Sequence, residues 1–250
     1  MRFELNRVSL NFENSKAQSK RGAPPFLFQN LSVQFTGPGL IGILGPSGCG
    51  KSTLVRLLAG LQKPSSGELT KPTPNMSFVF QESHLLNWRT CSENVALPLE
   101  LQNLGSIEDR AHKTRTALKM VSLESSADLY PSQLSGGMKM RVSLARAFIT
   151  DPQVLFCDEP FSALDELARE GLQVELRRYV EKHKALCFFV THSLSEAVFL
   201  ADQIYIFRAY GQLETEPLMV GRQDLSHFRD SELYQRQVQT LRRQLRGGPS

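Results

Sequence analysis

The sequence predicts an α/β protein built around a largely parallel sheet. Short apolar runs alternate with helical patterns along most of the chain. One of these runs, Leu40–Leu44, is wholly apolar, as expected for a strand that is buried on both faces. It leads directly into a glycine-rich loop and then into the helical pattern Lys51–Gly60, which ends at a glycine. We therefore expect a strand, loop and helix in the first quarter of the chain.

The other elements follow from the same patterns. Phe3–Phe12 and Phe26–Phe35 alternate polar and apolar residues, which predicts two paired strands joined by the polar loop 13–25. Further strands are predicted at Met76–Phe80, Val154–Cys157, Leu186–Val190 and Gln203–Phe207, and further helices at Lys139–Thr150, Glu166–Glu181 and Ser195–Leu200. Residues of about 90–150 have helical patterns and no clear strand, so we expect an inserted helical lobe at about 82–150. The last segment, 221–250, is basic near its end, and an apolar stripe predicts a helix that docks on the body of the protein: Leu233, Val238, Leu241 and Leu245.

Composition and charge restrict the classes of function. Of the 250 residues, 41% are hydrophobic and 22% are charged, as in ordinary globular proteins. The sequence has neither a run of eighteen apolar residues nor an apolar signal peptide, so we expect a cytosolic protein. The net charge of +4 is not concentrated in a basic stripe and does not indicate nucleic-acid binding. The four cysteines are far apart, which predicts neither a zinc site nor a disulfide framework.

The glycine-rich loop matches the phosphate-binding pattern of two glycines, a lysine and a hydroxyl at fixed spacing. Its glycines let successive N–H groups point at phosphate oxygens, and the following helix adds its positive end. Lys51 would reach the β- and γ-phosphates of ATP, and the Ser52 hydroxyl would bind Mg²⁺. The alternative is a plain glycine-rich turn. The predicted nucleotide contacts are Gly45, Pro46, Ser47, Gly48, Cys49, Gly50, Lys51, Ser52 and Thr53.

Two adjacent acids end the predicted strand Val154–Cys157. Asp158 lies where a protein with a phosphate-binding loop needs a carboxylate for Mg²⁺, which it would hold through a water. Glu159 follows it and can act as the general base toward the attacking water. Taken alone, the pair is better interpreted as a solvated turn.

Between these motifs lies Leu134-Ser-Gly-Gly-Met138, followed by a long helical pattern. This segment resembles the signature of the ABC (ATP-binding cassette) family, and Arg141, Leu144 and Arg146 are spaced as in that family. Without the resemblance it reads as a Ser-Gly-Gly linker. The signature implies that Ser135, Gly136 and Gly137 form a second anion site, which meets the γ-phosphate bound by the opposite subunit of a dimer.

Smaller matches follow in the order of the family. Gln81 resembles the glutamine that senses Mg²⁺ and water, and Ser162-Ala-Leu-Asp165 resembles the loop that crosses the dimer interface. His192 resembles the switch histidine that touches the γ-phosphate. Phe12 lies where the family stacks an aromatic ring on adenine, although it could equally belong to the core.

The resemblance implies a P-loop NTPase (RecA-like) core with an antiparallel β subdomain and an inserted helical lobe, over about residues 1–220. It implies two copies that sandwich two ATP molecules, with Mg²⁺, and that move membrane permease subunits, with a periplasmic or extracellular solute-binding protein. The chain would then act as a peripheral ATPase at the cytoplasmic side of the membrane.

Met138, in place of the commonest glutamine, is similar to importers of nitrate, sulfonates, taurine or thiamine precursors. The stretch from His84 to Leu97 resembles theirs too, apart from Asn87. The alternatives are an ATPase that moves lipids or lipoproteins and an ABC protein without a transport role.

Trp88 lies where the family docks a short permease helix, whereas the other possibility is a core tryptophan. Within the loop we expect the Cys49 side chain to point away from the nucleotide, with its thiol pKa lowered by the helix N-terminus.

Overall fold

The computed structural model describes residues 1–11, 26–72, 75–208, 212–214, 217–220 and 225–246. The chain divides into two compact units. The first combines Met1–Thr73 with Phe188–Ser250, and the second is Pro74–Cys187. None of the described helices combines the length and the apolar content that crossing a membrane requires.

The first unit contains a three-stranded antiparallel sheet of order β2-β1-β4. Its strands are β1 (Arg2–Asn11), β2 (Phe26–Thr36) and β4 (Ser66–Thr70). The buried side of β1 changes along the strand, from Phe3 and Leu5 to Val8 and Leu10. A bulge at Arg7, which has a φ of 50°, shifts the register at this point and keeps both pairs in the core.

The same unit contains strands of the second sheet. They are β3 (Gly39–Leu44), β7 (Leu186–Thr191), β8 (Gln203–Ile206) and β9 (Leu218–Met219), and the first two residues of β7 fall in the second unit. The central strand β3 has β7 and β8 as neighbours and runs parallel to β8, with Leu44 opposite Ile206. The helices are α1 (Lys51–Ala59), α6 (Leu194–Leu200), α7 (Leu225–Phe228) and α8 (Glu232–Arg246).

An aromatic cluster joins the two sheets inside the first unit. Phe188 on β7 makes edge-to-face contacts with Phe3 and Phe35, each at 5.3 Å between ring centroids. Phe35 also packs on Tyr205 at 4.7 Å, and the Tyr205 hydroxyl donates to the Gln34 carbonyl at 3.2 Å. Such ring pairs add specific attraction to the large apolar area that they bury.

The predicted tail helix is present as α8, which packs on α6. Leu241 is fully buried, and the Tyr234 hydroxyl donates to the Ser195 carbonyl at 3.2 Å. The prediction that the apolar stripe docks on the body is therefore confirmed at Leu241, whereas Leu233 at the start of the helix stays exposed.

The second unit contains a pair of parallel strands and four helices. They are β5 (Met76–Val79), α2 (Cys91–Leu101), α3 (Ile107–Met120), α4 (Gly136–Phe148), β6 (Val154–Asp158) and α5 (Glu166–His183). Helices α2 and α3 each start with a capping box, Thr90 with Glu93 and Ser106 with Asp109. Helix α4 begins three residues earlier than predicted, because Ser135 caps it directly. The lobe boundaries at 82–150 and the domain boundary at 220 stay predictions.

Candidate functional site

The glycine-rich loop connects β3 to α1, as predicted. A Cβ atom on Gly45 would overlap the carbonyl oxygen of Phe207, so the close backbone approach at this point requires glycine. Gly50 is the N-cap of α1 with a φ of 111°, and neither a capping side chain nor an acidic residue occupies the first turn. The start of α1 is therefore built from backbone, in the arrangement that binds anions.

Lys51 lies over this loop instead of extending into solvent. Its side chain is buried, and its ammonium group donates to the carbonyl oxygens of Gly45 at 2.9 Å and Pro46 at 2.7 Å. These two hydrogen bonds compensate for removing the ammonium group from water. This places the positive charge within the curve of the loop, next to the α1 N-terminus.

The expectation of a lowered Cys49 pKa is wrong. The Cys49 side chain is only 4% exposed, and burial raises the pKa of its thiol from the usual value. The positive charge of Lys51 lowers that pKa by a smaller amount. Desolvation disfavours the thiolate more than the neighbouring cation favours it, so the thiol is shielded and protonated at neutral pH.

His192 lies between the end of β7 and the start of α6, on a turn held by hydrogen bonds. The Thr191 hydroxyl donates to a Glu196 carboxylate oxygen at 2.5 Å and accepts from the Ser193 N–H at 3.0 Å. The Ser193 hydroxyl caps α6 by accepting from the Glu196 N–H at 3.3 Å. The exposed His192 side chain is thus carried by a rigid turn.

In the second unit, Asp158 is the last residue of β6, and Gln81 lies two residues beyond the end of the neighbouring parallel strand β5. Val79 on β5 is opposite Cys157 on β6, so both residues lie at the same end of this strand pair. Asp158 is fully buried and Gln81 is exposed. A cation stabilises a buried carboxylate, which makes Asp158 a suitable anchor for a metal ion.

Glu159 has an unusual backbone conformation, with a φ of 47°. Its carbonyl oxygen accepts two hydrogen bonds from Ser162, from the N–H at 3.2 Å and from the hydroxyl at 3.0 Å. A left-handed conformation is uncommon for a residue with a side chain, and such outliers cluster at functional sites. Ser162 therefore stabilises the turn at Glu159 that follows β6.

The signature residues form the start of α4. The Ser135 hydroxyl accepts from the Met138 N–H at 3.2 Å as the helix cap. Ser135 and Gly136 are exposed, and a Cβ atom on Gly136 would have no neighbour within 4 Å among the described residues. A Cβ atom on Gly137 would lie 3.2 Å from the Leu164 side chain, so the second glycine packs against the loop that ends at Asp165.

Asp165 is exposed and caps α5, with its Oδ1 accepting from the Ala168 N–H at 2.9 Å. Asp165 therefore stabilises the start of α5, and this is separate from the nucleotide binding that the resemblance implies for it. Phe12 and the loop 13–25 lie outside the described residues.

The positioning roles of two side chains were missed in the sequence. Asn94 on α2 is fully buried and bonds the backbone of three residues of the preceding loop: Leu86, Arg89 and Thr90. Arg146 on α4 donates to the carbonyls of Ser83 and His84. The capping pattern Thr90-Cys-Ser-Glu93 is a signal that could have predicted the helix start beside Asn94, whereas no local pattern indicates the Arg146 contacts.

Comparisons with known proteins agree with this arrangement. The profile of a family described as ABC transporter matches residues 28–162. An aliphatic sulfonates import ATP-binding protein of Bacillus cereus is 39% identical over 209 residues, which cover 81% of each chain. A taurine import ATP-binding protein of Pseudomonas aeruginosa is 39% identical over 212 residues, covering 82% of this chain and 78% of that protein.

A similar solved structure is the dimeric post-hydrolysis state of an ATP-binding cassette bound to ADP and Pi. It is 28% identical, has a TM-score of 0.78 and covers 88% of this chain and 100% of its own. This likeness and the observed sheets confirm the predicted fold class.

Proposed function

Since the chain belongs to the ABC transporter family, as one of its ATP-binding and ATP-hydrolysing subunits, we propose that it drives the import of small anions, with sulfonates and taurine as the favoured class. The observation that carries the hydrolytic part is the pair Asp158 and Glu159, a buried carboxylate followed by one in a left-handed turn. The substrate class is supported by Met138 and by the names of the similar importers.

The loop Gly45–Thr53 binds the phosphates of ATP in this proposal. Backbone N–H groups at the start of α1 contact phosphate oxygens, and Lys51 exchanges its two carbonyl partners for phosphate oxygens. Because α1 has no side-chain cap, no protein group has to be displaced from its first turn by the ligand.

The described residues fit a bound Mg²⁺ ion. Hard oxygen donors suit this metal, and within the second unit the buried Asp158 carboxylate and the Gln81 amide supply them. When bound, the ion neutralises charge on the phosphates. Asp158 and Gln81 lie at one end of the β5–β6 pair, which allows the two side chains to act together on one ion or its waters.

Glu159 takes a proton from the attacking water in the proposed reaction. The hydrogen bonds from Ser162 fix the backbone of Glu159 and reduce the motion of its carboxylate. His192 on its rigid turn contacts the γ-phosphate and orients the water. Catalysis then depends on positioning and on charge neutralisation, as in other phosphoryl transfers.

The exposed start of α4 supplies the second half of each ATP site in a homodimer. Ser135, Gly136 and Gly137 present a hydroxyl and backbone N–H groups at a helix N-terminus, which favours an anionic partner. Asp165 lies on the neighbouring loop and faces the same interface in this proposal.

The second unit has a surface suited to a permease helix. Helices α2 and α3 line a cavity of about 630 Å³, in which apolar side chains such as Ile107 and Leu118 lie beside charged ones such as Glu100 and Arg110. Trp88 beside α2 is 74% exposed, and Ile107 at the start of α3 is 81% exposed. Large apolar side chains that are exposed beside a polar rim are typical of an interface, which supports peripheral association with the membrane through permease subunits.

The proposal is tested by growth and by ATP hydrolysis. A strain lacking this gene should fail to grow on an alkanesulfonate or taurine as sole sulfur source, and the parent gene should restore growth. The Glu159→Gln gene should not restore growth. The purified variant should bind ATP but hydrolyse it about 10²–10⁴-fold more slowly than the parent protein, because the general base is lost. Normal growth of the deletion strain would overturn the substrate class and favour the lipid or non-transport alternatives.

Trp88→Ala separates the permease contact from hydrolysis. We expect this variant to stay folded and to hydrolyse ATP as the isolated protein, since an exposed side chain contributes little to stability. It should nevertheless fail to restore growth. A loss of folding would contradict the surface role of Trp88.

A further inference from the structure

Arg146 is a half-buried arginine that donates hydrogen bonds to the backbone of the loop following Gln81. Its Nη1 donates to the His84 carbonyl at 3.0 Å and its Nη2 donates to the Ser83 carbonyl at 2.8 Å. Burial lowers the pKa of this guanidinium, which reflects the cost of removing the charge from water. That cost is offset by the two hydrogen bonds to carbonyl oxygens, in which each terminal nitrogen of the guanidinium contacts a different carbonyl.

The other half of the same loop has a separate anchor. Asn94 accepts from the Leu86 N–H at 2.8 Å and donates to the Leu86 carbonyl at 3.1 Å. Its side-chain N–H groups also donate to the carbonyls of Arg89 and Thr90, the last two residues before α2. Arg146 therefore fixes the part of the loop next to Gln81, and Asn94 fixes the part that carries Trp88.

We propose that Arg146 is a positioning residue for Gln81, tying the loop after Gln81 to the signature helix α4. The proposal rests on the proposed role of Gln81 at Mg²⁺. Helix α4 begins at Gly136, ten residues before Arg146, which is about 15 Å along the helix axis. A helix moves as a stiff rod over this length, so a displacement at the signature end carries the Ser83 and His84 carbonyls with it. The metal contact in one subunit then responds to the ATP held at the start of its own α4.

The test is the Mg²⁺ dependence of ATP hydrolysis in Arg146→Met and Arg146→Lys. Arg146→Met removes both hydrogen bonds and should raise the Mg²⁺ concentration for half-maximal rate about tenfold. Arg146→Lys keeps the charge but loses the fork, and should give an intermediate shift. ATP affinity measured in EDTA should not change, because the glycine-rich loop is untouched.

Arg141→Lys is the matched control. Arg141 lies on the same helix and its Nη1 donates to the Val121 carbonyl at 3.4 Å, away from the loop after Gln81. This variant should leave the Mg²⁺ dependence at the parent value. Thermal unfolding of all variants reports whether the fold is kept.

Gln81→Ala separates the two proposals. If Gln81→Ala itself leaves the Mg²⁺ dependence unchanged, the role of Gln81 fails. If Gln81→Ala shifts it and Arg146→Met adds no further shift in that background, Arg146 acts through Gln81. Three results would overturn the positioning role. The shifts of Gln81→Ala and Arg146→Met in the Mg²⁺ concentration for half-maximal rate could add fully in the double variant, or Arg146→Met could stay folded and show no shift. Both Arg146 variants could also unfold.

Discussion

The N-terminal ends of α1 and α4 are both proposed to bind phosphate, yet they are built differently. The start of α1 is partly enclosed: Lys51 and Cys49 are 5% and 4% exposed although Ser47 and Gly48 are exposed, and the N-cap is a glycine without a capping side chain. The start of α4 is exposed, and Ser135 caps it with a hydroxyl that already accepts from the Met138 N–H.

The difference separates a preformed site from a site that needs a partner. At α1 the backbone donors are held by the surrounding fold and Lys51 already lies over the loop, so ATP binding requires only that the Lys51 ammonium exchange its carbonyl partners for phosphate oxygens. At α4 a ligand competes with the Ser135 cap and meets a surface that is open to solvent. We therefore expect the α1 loop to set ATP affinity in the isolated chain and the α4 start to act only within the dimer.

The largest expected effect is at α1. Lys51→Ala removes a charged donor and should weaken ATP binding roughly 10- to 100-fold, as measured with a fluorescent ATP analogue. Arg56→Ala, an exposed change on the same helix, is the control and should keep the parent affinity. An affinity for Lys51→Ala within twofold of the parent would remove the distinction between the two helix starts.

A second effect follows from the buried position of Cys49. A raised pKa lowers the thiolate fraction at pH 7, so a maleimide should label Cys49 at least about tenfold more slowly in the native protein than in urea. Cys49→Ser identifies which labelled peptide belongs to this position. Equal rates in both states would show that the start of α1 is as open as that of α4.

The smallest expected effects are at α4. Gly136→Ala meets no neighbouring atom and should stabilise the monomer by about 0.5–1 kcal/mol against thermal unfolding, because alanine favours the helix. Ser135→Ala should instead destabilise it by about 0.5–2 kcal/mol through loss of the cap. Both should weaken the ATP-dependent dimer seen by light scattering. If Gly136→Ala dimerises like the parent, the α4 start does not contact ATP.

Much of the fold was predictable because each strand carries its own pattern. Leu40–Leu44 is apolar throughout since both faces of β3 are buried, and its predicted bounds differ from the observed ones by one residue. Strand β4, in contrast, was missed because Ser66–Thr70 is polar and mostly exposed. It is a strand only because it pairs with β1, with Glu4 opposite Thr70.

The site was predictable where its chemistry is local in sequence. The glycine-rich loop, Asp158 with Glu159, and the signature are contiguous motifs, whereas the Arg146 contacts join residues more than sixty positions apart. The lowered thiol pKa expected for Cys49 was wrong because burial, which a motif does not specify, outweighs the helix N-terminus.

The aromatic contact between Phe3 and Phe188 also has a consequence for synthesis of the protein on the ribosome. Because the ribosome adds about 5–20 residues per second, β1 emerges on the order of ten seconds before its partner ring on β7. During that interval the newly made apolar side of β1 has no β7 to cover it. Chaperone binding to nascent chains should therefore be strongest before β7 is released and should fall once Phe188 and Tyr205 have left the exit tunnel.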